Sequence, residues 1–230
     1  MQPSVLVFDV NETLIDLESL APFFGELFGD ERVLHEWFTR LVMYSMTVTL
    51  SEHYVDFFTL GGGVLRMLAD RYHVRVADPD TIRLQTAMRT MPAHPDVIEG
   101  LDRLRTNGFR LVTLTNSPHR EGSPSPLDNA GLAGFFERQL TVDTCREFKP
   151  APTVYRQVCE ALDVAPAECT MVAAHEWDLL GARNAGFGTA FITRRGTAPL
   201  AVHGLPQPDI VARDLPELAE RLSQLRRADA

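Results

Sequence analysis

The sequence predicts an α/β fold, a doubly wound and mostly parallel sheet with an all-helical segment inserted after its first strand. Three observations carry this. Residues 5–10 form an apolar run interrupted only by Asp9, the pattern of a strand buried on both faces and ending at a carboxylate. Residues 17–92 repeat apolar side chains at helical spacing with no strand pattern among them. After Pro92, short apolar runs alternate with amphipathic stretches of helix length, the signature of strand–helix–strand units with right-handed crossovers. The predicted organisation is a Rossmann-like core of residues 1–16 and 93–230 and a helical cap of residues 17–92.

Within the insert, helices are predicted at residues 20–28, 33–46, 53–72 and 79–91, and Gly61-Gly62-Gly63 is expected to break or kink the third. In the core, residues 96–107 read as an amphipathic helix stopped by Gly108, and 109–115 as a strand. A Pro-rich turn and a short helix follow through Gly131. Strands are then expected at 139–142, 170–174, 189–193 and 209–211, and helices at 153–162, 179–185 and 215–225.

Composition narrows the function. The 230 residues hold 31 acidic and 22 basic side chains, a formal charge of −9, so the overall field disfavours nucleic acid and anionic membranes as partners. No run approaches the roughly 18 apolar residues of a membrane span. The N-terminus lacks a basic stretch before its apolar run, so a cytoplasmic protein is expected. Cys145, Cys159 and Cys169 form no metal or disulfide spacing, and the sequon at Asn11-Glu12-Thr13 reads as chance. Of the 22 basic residues 21 are Arg; the single Lys is Lys149.

Ligands of doubly wound sheets bind beyond the carboxyl ends of the strands. Four loops at such ends carry the polar residues: Asp9, Asn11 and Thr13; Thr115, Asn116 and Ser117; Lys149; and His175 through Asp178. FDVNETL at 8–14, LTNS at 114–117, FKP at 148–150 and HEWDLLGAR at 175–183 resemble, in order, the four motifs of the haloacid dehalogenase (HAD) superfamily. The resemblance spans essentially the whole chain. Phosphatases of that superfamily carry a second Asp two residues after the nucleophile, here Asn11. They also carry a Gly-Asp pair that holds Mg²⁺, here Ala173-Ala174. Asp9 and Asp178 alone make a poor magnesium cage, whereas a halide leaves without proton or metal. The pattern is therefore similar to the L-2-haloacid dehalogenase branch.

That resemblance implies a hydrolase of carbon–halide bonds in short 2-haloalkanoic acids, free of metal and cofactor, and the family's habit is a homodimer. Asp9 would displace halide from the α-carbon and form an alkyl ester that water cleaves. Lys149 would keep Asp9 ionised, and Asp178 would balance Lys149 and help activate water. Thr13 and Thr115 would offer hydroxyls to Asp9 or the substrate carboxylate. Asn116 and Trp177 match the family's halide cradle, Tyr155 matches an active-site position, and His175 and Asn11 line the pocket. Plainer roles stand beside these: turn or cap residues for Asp9, Thr115 and Asn116, a loop charge for Lys149, packing for Trp177, Tyr155 and His175.

The family places an Arg directly after a cap Trp; here Phe38 follows Trp37. Arg40 lies two residues on, about 200° around a helix. Ala173 replaces a Ser, Asn11 an aromatic residue, and Phe38, Met43, Tyr44 and Met46 would form an apolar cap wall. Two other functions stay open at this stage: a Mg²⁺-dependent phosphatase of a small phosphomonoester, and a catalytically weak binder of small carboxylates.

Overall fold

The computed structural model describes residues 4–119 and 122–228, so the Pro-rich turn is described only in part. Strand β1 (Val5–Phe8) is followed by a 3₁₀ turn and four helices: α1 (Ala21–Phe28), α2 (Val33–Leu50), α3 (Phe57–Tyr72) and α4 (Asp78–Arg89). Then come α5 (Val97–Thr106), β2 (Arg110–Thr115), α6 (Pro126–Asn129), β3 (Arg138–Thr141) and α7 (Pro152–Leu162). The chain closes with β4 (Cys169–Ala173), α8 (Glu176–Asn184), β5 (Gly188–Ile192), β6 (Ile210–Ala212) and α9 (Leu215–Ala228).

The described strands form one parallel sheet in the order β3-β2-β1-β4-β5-β6. Val7 of β1 sits between Val112 of β2 and Met171 of β4, and every residue of β1 is buried. A strand covered on both faces needs this unbroken apolar character. The chain moves outward from β1 to β3 and returns on the other side at β4, so the order reverses between β1 and β4. That reversal opens the crevice in which such sheets bind ligands. Asp9 stands at one lip and His175 at the other.

Several boundaries differ from expectation for local reasons. β1 ends at Phe8 rather than residue 10, because Glu12 takes a left-handed φ of 65° and folds the chain back, with Leu14 N–H bonded to the Val10 carbonyl at 2.9 Å. α8 starts at Glu176 rather than 179. Its first turn holds Glu176 and Asp178, which suit the positive end of a helix dipole but carry no apolar periodicity. The break expected at Gly61-Gly62-Gly63 is absent, and α3 runs through it. A Cβ on Gly61 would lie 3.1 Å from Trp37 Cζ2, and one on Gly62 would lie 2.6 Å from Thr81 Cγ2. The glycines let α2 and α4 close on α3, and the Trp37 indole N–H donates to the Gly61 carbonyl at 2.9 Å.

The chain leaves and rejoins the sheet region at neighbouring points. Ile15 and Ala93 form an antiparallel bridge, and Asp16 N–H donates to the Pro92 carbonyl at 2.7 Å. No described helix is long and apolar enough to cross a membrane.

Gly62→Ala should lower the unfolding free energy by about 1–3 kcal/mol through overpacking against Thr81. Gly63→Ala, whose Cβ meets nothing within 4 Å, should raise it by about 0.5–1 kcal/mol in the same urea titration.

Candidate active site

Asp9 follows β1 directly, and its N–H still bonds to the Val172 carbonyl of β4 at 3.0 Å. Its carboxylate is buried and held at both oxygens. Thr13 Oγ1 donates to Oδ2 at 2.8 Å, and Lys149 Nζ donates to Oδ1 at 2.7 Å. Thr13 reaches back because the turn at Glu12 reverses the chain, and its hydroxyl oxygen also accepts from Ala174 N–H at 3.0 Å.

Lys149 is fully buried. Its ammonium donates to Asp9, to Asp178 Oδ2 at 2.5 Å and to the Leu114 carbonyl at 3.0 Å, which uses all three N–H groups. Burial works against its charge, yet Asp178 and then Asp9 outweigh it and hold the ammonium above the ordinary lysine range. The stabilisation from that charge is complete below the unfolded lysine value and is lost as pH rises through the folded one. The Tyr155 hydroxyl donates to Asp178 Oδ1 at 2.7 Å, so every oxygen of the two carboxylates accepts a hydrogen bond.

A small, tight cavity opens beside this cluster. Asp9, Asn11 and Asn116 supply its polar wall, Phe38, Val42 and Phe57 its apolar wall, and His175 and Trp177 close it. The apolar wall therefore differs from the one expected: Val42 and Phe57 take the place of Met43, Tyr44 and Met46, and Met43 is 46% exposed. Asn11 donates to Ser117 Oγ at 3.1 Å, and Asn116 Oδ1 accepts from Lys149 N–H at 3.2 Å. His175 stacks on Trp177 at 5.4 Å, with Phe38 against it at 5.7 Å, and its Nε2 lies 3.0 Å from Glu12 Oε2. Phe38 and His175 also face a wider, open cleft lined by Glu12, His35 and Glu176.

The structure thus brings Asp9, Thr13, Lys149 and Asp178 into one hydrogen-bonded cluster, with Asn11, Asn116, Phe38, His175 and Trp177 around the adjoining cavity. Tyr155 and Thr115 stand apart from that cavity. Tyr155 lies behind Asp178, and Thr115 Oγ1 accepts from Ser117 N–H at 3.1 Å and faces a separate crevice. Arg40 turns away, bonded to Glu36 at 2.9 Å.

Sequence reasoning missed Arg194. Its guanidinium donates twice to the Thr13 carbonyl, at 2.8 and 3.1 Å, and pairs with Asp96 at 2.6 Å. It braces the turn that aims Thr13 at Asp9, yet one Arg among 21 carries no mark in sequence. Glu12 was visible inside the first motif but received no role.

The family model for haloacid dehalogenase-like hydrolases matches residues 3–186. The chain belongs to that family. Among relatives of this haloacid dehalogenase-like hydrolase, (S)-2-haloacid dehalogenase 4A of Burkholderia cepacia is 32% identical over 84% of both chains. Phosphoglycolate phosphatase of Vibrio vulnificus (strain CMCP6) is 33% identical over 61% of both. A solved structure of L-2-haloacid dehalogenase from Xanthobacter autotrophicus, with chloropropionic acid covalently bound, superposes with a TM-score of 0.85 at 25% identity over the whole of both chains.

Lys149→Met should cost about 3–5 kcal/mol at pH 7, because it leaves Asp9 and Asp178 as unpaired buried charges. The loss should shrink at pH 5, where one carboxylate binds a proton more readily in the folded than in the unfolded chain. Denaturant titrations at both pH values check the size and the sign.

Proposed function

We propose that this hydrolase dehalogenates short 2-haloalkanoic acids, with Asp9 as the nucleophile. The observation that carries the reading is the Asp9–Lys149–Asp178 cluster beside a cavity with apolar and amide walls. A carboxylate is a weak nucleophile while hydrated. Asp9 is buried, and Lys149 favours its charged form without adding water. One Asp9 oxygen attacks the α-carbon, the carbon–halogen bond breaks, and halide departs with the bonding pair. The product is an ester between Asp9 and the 1-carboxyalkyl group. Water then adds to the Asp9 carbonyl carbon, and the 2-hydroxy acid leaves as Asp9 returns to a carboxylate.

Thr13 holds Asp9 in register for both steps. Asp178 balances Lys149 and accepts a proton from the attacking water, and Tyr155 fixes Asp178. Asn116 is oriented through its Oδ1, which leaves its NH₂ for the departing halide, with Trp177 beside it. Asn11, oriented by Ser117, forms the polar side toward the substrate carboxylate. Phe38, Val42 and Phe57 keep that space dry, and residues 17–92 serve as the cap that closes it.

The Vibrio relative makes a phosphatase the second reading, and the donor set opposes it. Magnesium takes six oxygen ligands in octahedral geometry, several of them water, with one or two carboxylates from the protein. Each oxygen of Asp9 and Asp178 already accepts one hydrogen bond, from Thr13, Lys149 or Tyr155. Ala173 and Ala174 add none, and the described residues contain no cluster of three metal-binding side chains. The position for a leaving-group acid is Asn11, which has no proton to give an alkoxide.

Halide release from 2-chloropropionate should proceed unchanged with chelator present and should fall by more than about 10⁴-fold in Asp9→Ala. A trapped ester should shift the mass of the Asp9 peptide. Release of phosphate that requires Mg²⁺, without halide release, would overturn the assignment.

A further inference from the structure

Lys149 has no donor left for a substrate, since its three N–H groups go to Asp9, Asp178 and Leu114. The two carboxylates and one ammonium leave this cluster with a net negative charge. A 2-haloacid anion brings a second negative charge into the same buried space, where like charges repel strongly. Phe38 offers no compensation, and Arg40 is engaged with Glu36 outside the cavity. Among the described residues lining the cavity, His175 alone can carry positive charge.

The setting of His175 suits a cation. Its ring is stacked on Trp177 at an interplanar angle of 20°, and Nε2, buried and without an aligned hydrogen bond, is 3.0 Å from Glu12 Oε2. The ionisable groups around it are Asp9 and Glu12 in the turn after β1, Glu176 and Asp178 on α8, and His35 on α2 across the open cleft. Lys149 lies beyond, 5.8 Å from the Trp177 ring centre. Burial opposes protonation, but Glu12, and then Asp9, more than offset it and hold the imidazole above its ordinary value.

We propose that His175, paired with Glu12 and protonated, is the cation that meets the negative charge of the bound acid. This rests on the dehalogenase reading and adds a pH-dependent substrate contact to it, with Glu12 as a positioning residue. Turnover then depends on imidazole protonation, and kcat/KM falls about tenfold per pH unit above the His175 pKa.

Two readouts test this, and the first needs no turnover. A protonated imidazole stacked on an indole quenches its emission, so a fluorescence titration from pH 5 to 10, with His175→Asn as the blank for Trp37, gives the midpoint of His175. Glu12→Gln should lower that midpoint by about one pH unit. The second readout is the pH profile of kcat/KM for 2-chloropropionate. Its descending limb should match the wild-type fluorescence midpoint, move down in Glu12→Gln and vanish in His175→Asn. His175→Asn should also lose about tenfold at pH 6, through KM more than kcat. A fluorescence titration without a His175-dependent step, or a limb that persists in His175→Asn, overturns the proposal. If the wild type releases no halide at any pH, the dehalogenase reading falls separately. Sodium bromide then decides the matter: anion binding raises the fluorescence midpoint, and an unmoved midpoint overturns the proposal.

Discussion

The buried ammonium of Lys149 is the constraint around which the rest of the molecule is arranged. A lone buried cation is costly, and removing any partner leaves the remainder uncompensated. Its three acceptors come from three places: the end of β1, the carbonyl of Leu114 in β2, and α8. Strand order, loop lengths and the start of α8 must all agree for the charge to be met. The same bonds that satisfy Lys149 also fix the direction of the Asp9 carboxylate, so the requirement for stability and the rigidity asked of the proposed nucleophile coincide. Close packing behind the cluster serves the same end. A Cβ on Gly181 would lie 2.6 Å from the Tyr155 hydroxyl oxygen, so the bare glycine is what lets that hydroxyl reach Asp178.

The helical segment presses on this cluster from the other side. Phe148, the residue before Lys149, donates its N–H to Thr49 Oγ1 at 2.9 Å, and its ring lies between Tyr54 and Phe57 at 5.2 and 5.9 Å. Tyr54 donates to Asp143 on the sheet side. Burial, and then the Asp143 carboxylate, push the Tyr54 hydroxyl far above its usual range, so it stays a donor at any working pH. The loop carrying Lys149 is thereby held from both directions, which couples the position of the helices to the charge network beneath them.

Much of this was legible in sequence, and the exceptions share a cause. Asp9, Lys149 and Asp178 could be read because they fall in motifs that resemble those of the HAD superfamily, while a carboxylate after an apolar strand and a single Lys among 21 Arg made the first two stand out. The strands were readable for the same reason, their apolar runs having few competing interpretations. What stayed hidden depends on rotation and distance. On α2 each residue turns about 100°, so Val42 faces the cavity while its neighbour Met43 faces water. Tyr155 could be linked to the site, but not to the back of Asp178 instead of the cavity. Gly61 and Gly62 looked like helix breakers because their use, the close approach of Trp37 and Thr81, is a tertiary fact. Arg194 needed the fold to bring it to Thr13 from far along the chain.

The bridge between Ile15 and Ala93 bears on how such a chain can change over evolutionary time. With its two ends pinned together at the sheet, the inserted stretch is a closed loop, and the entropic cost of closing a flexible loop grows only logarithmically with length. Doubling its length would add only about 0.6 kcal/mol. On that term alone the insert could change in length at little cost, provided the contacts of Thr49, Tyr54 and Phe57 with the Lys149 loop are kept. New substrate preferences would be expected to arise through the insert, with the charge cluster left in place.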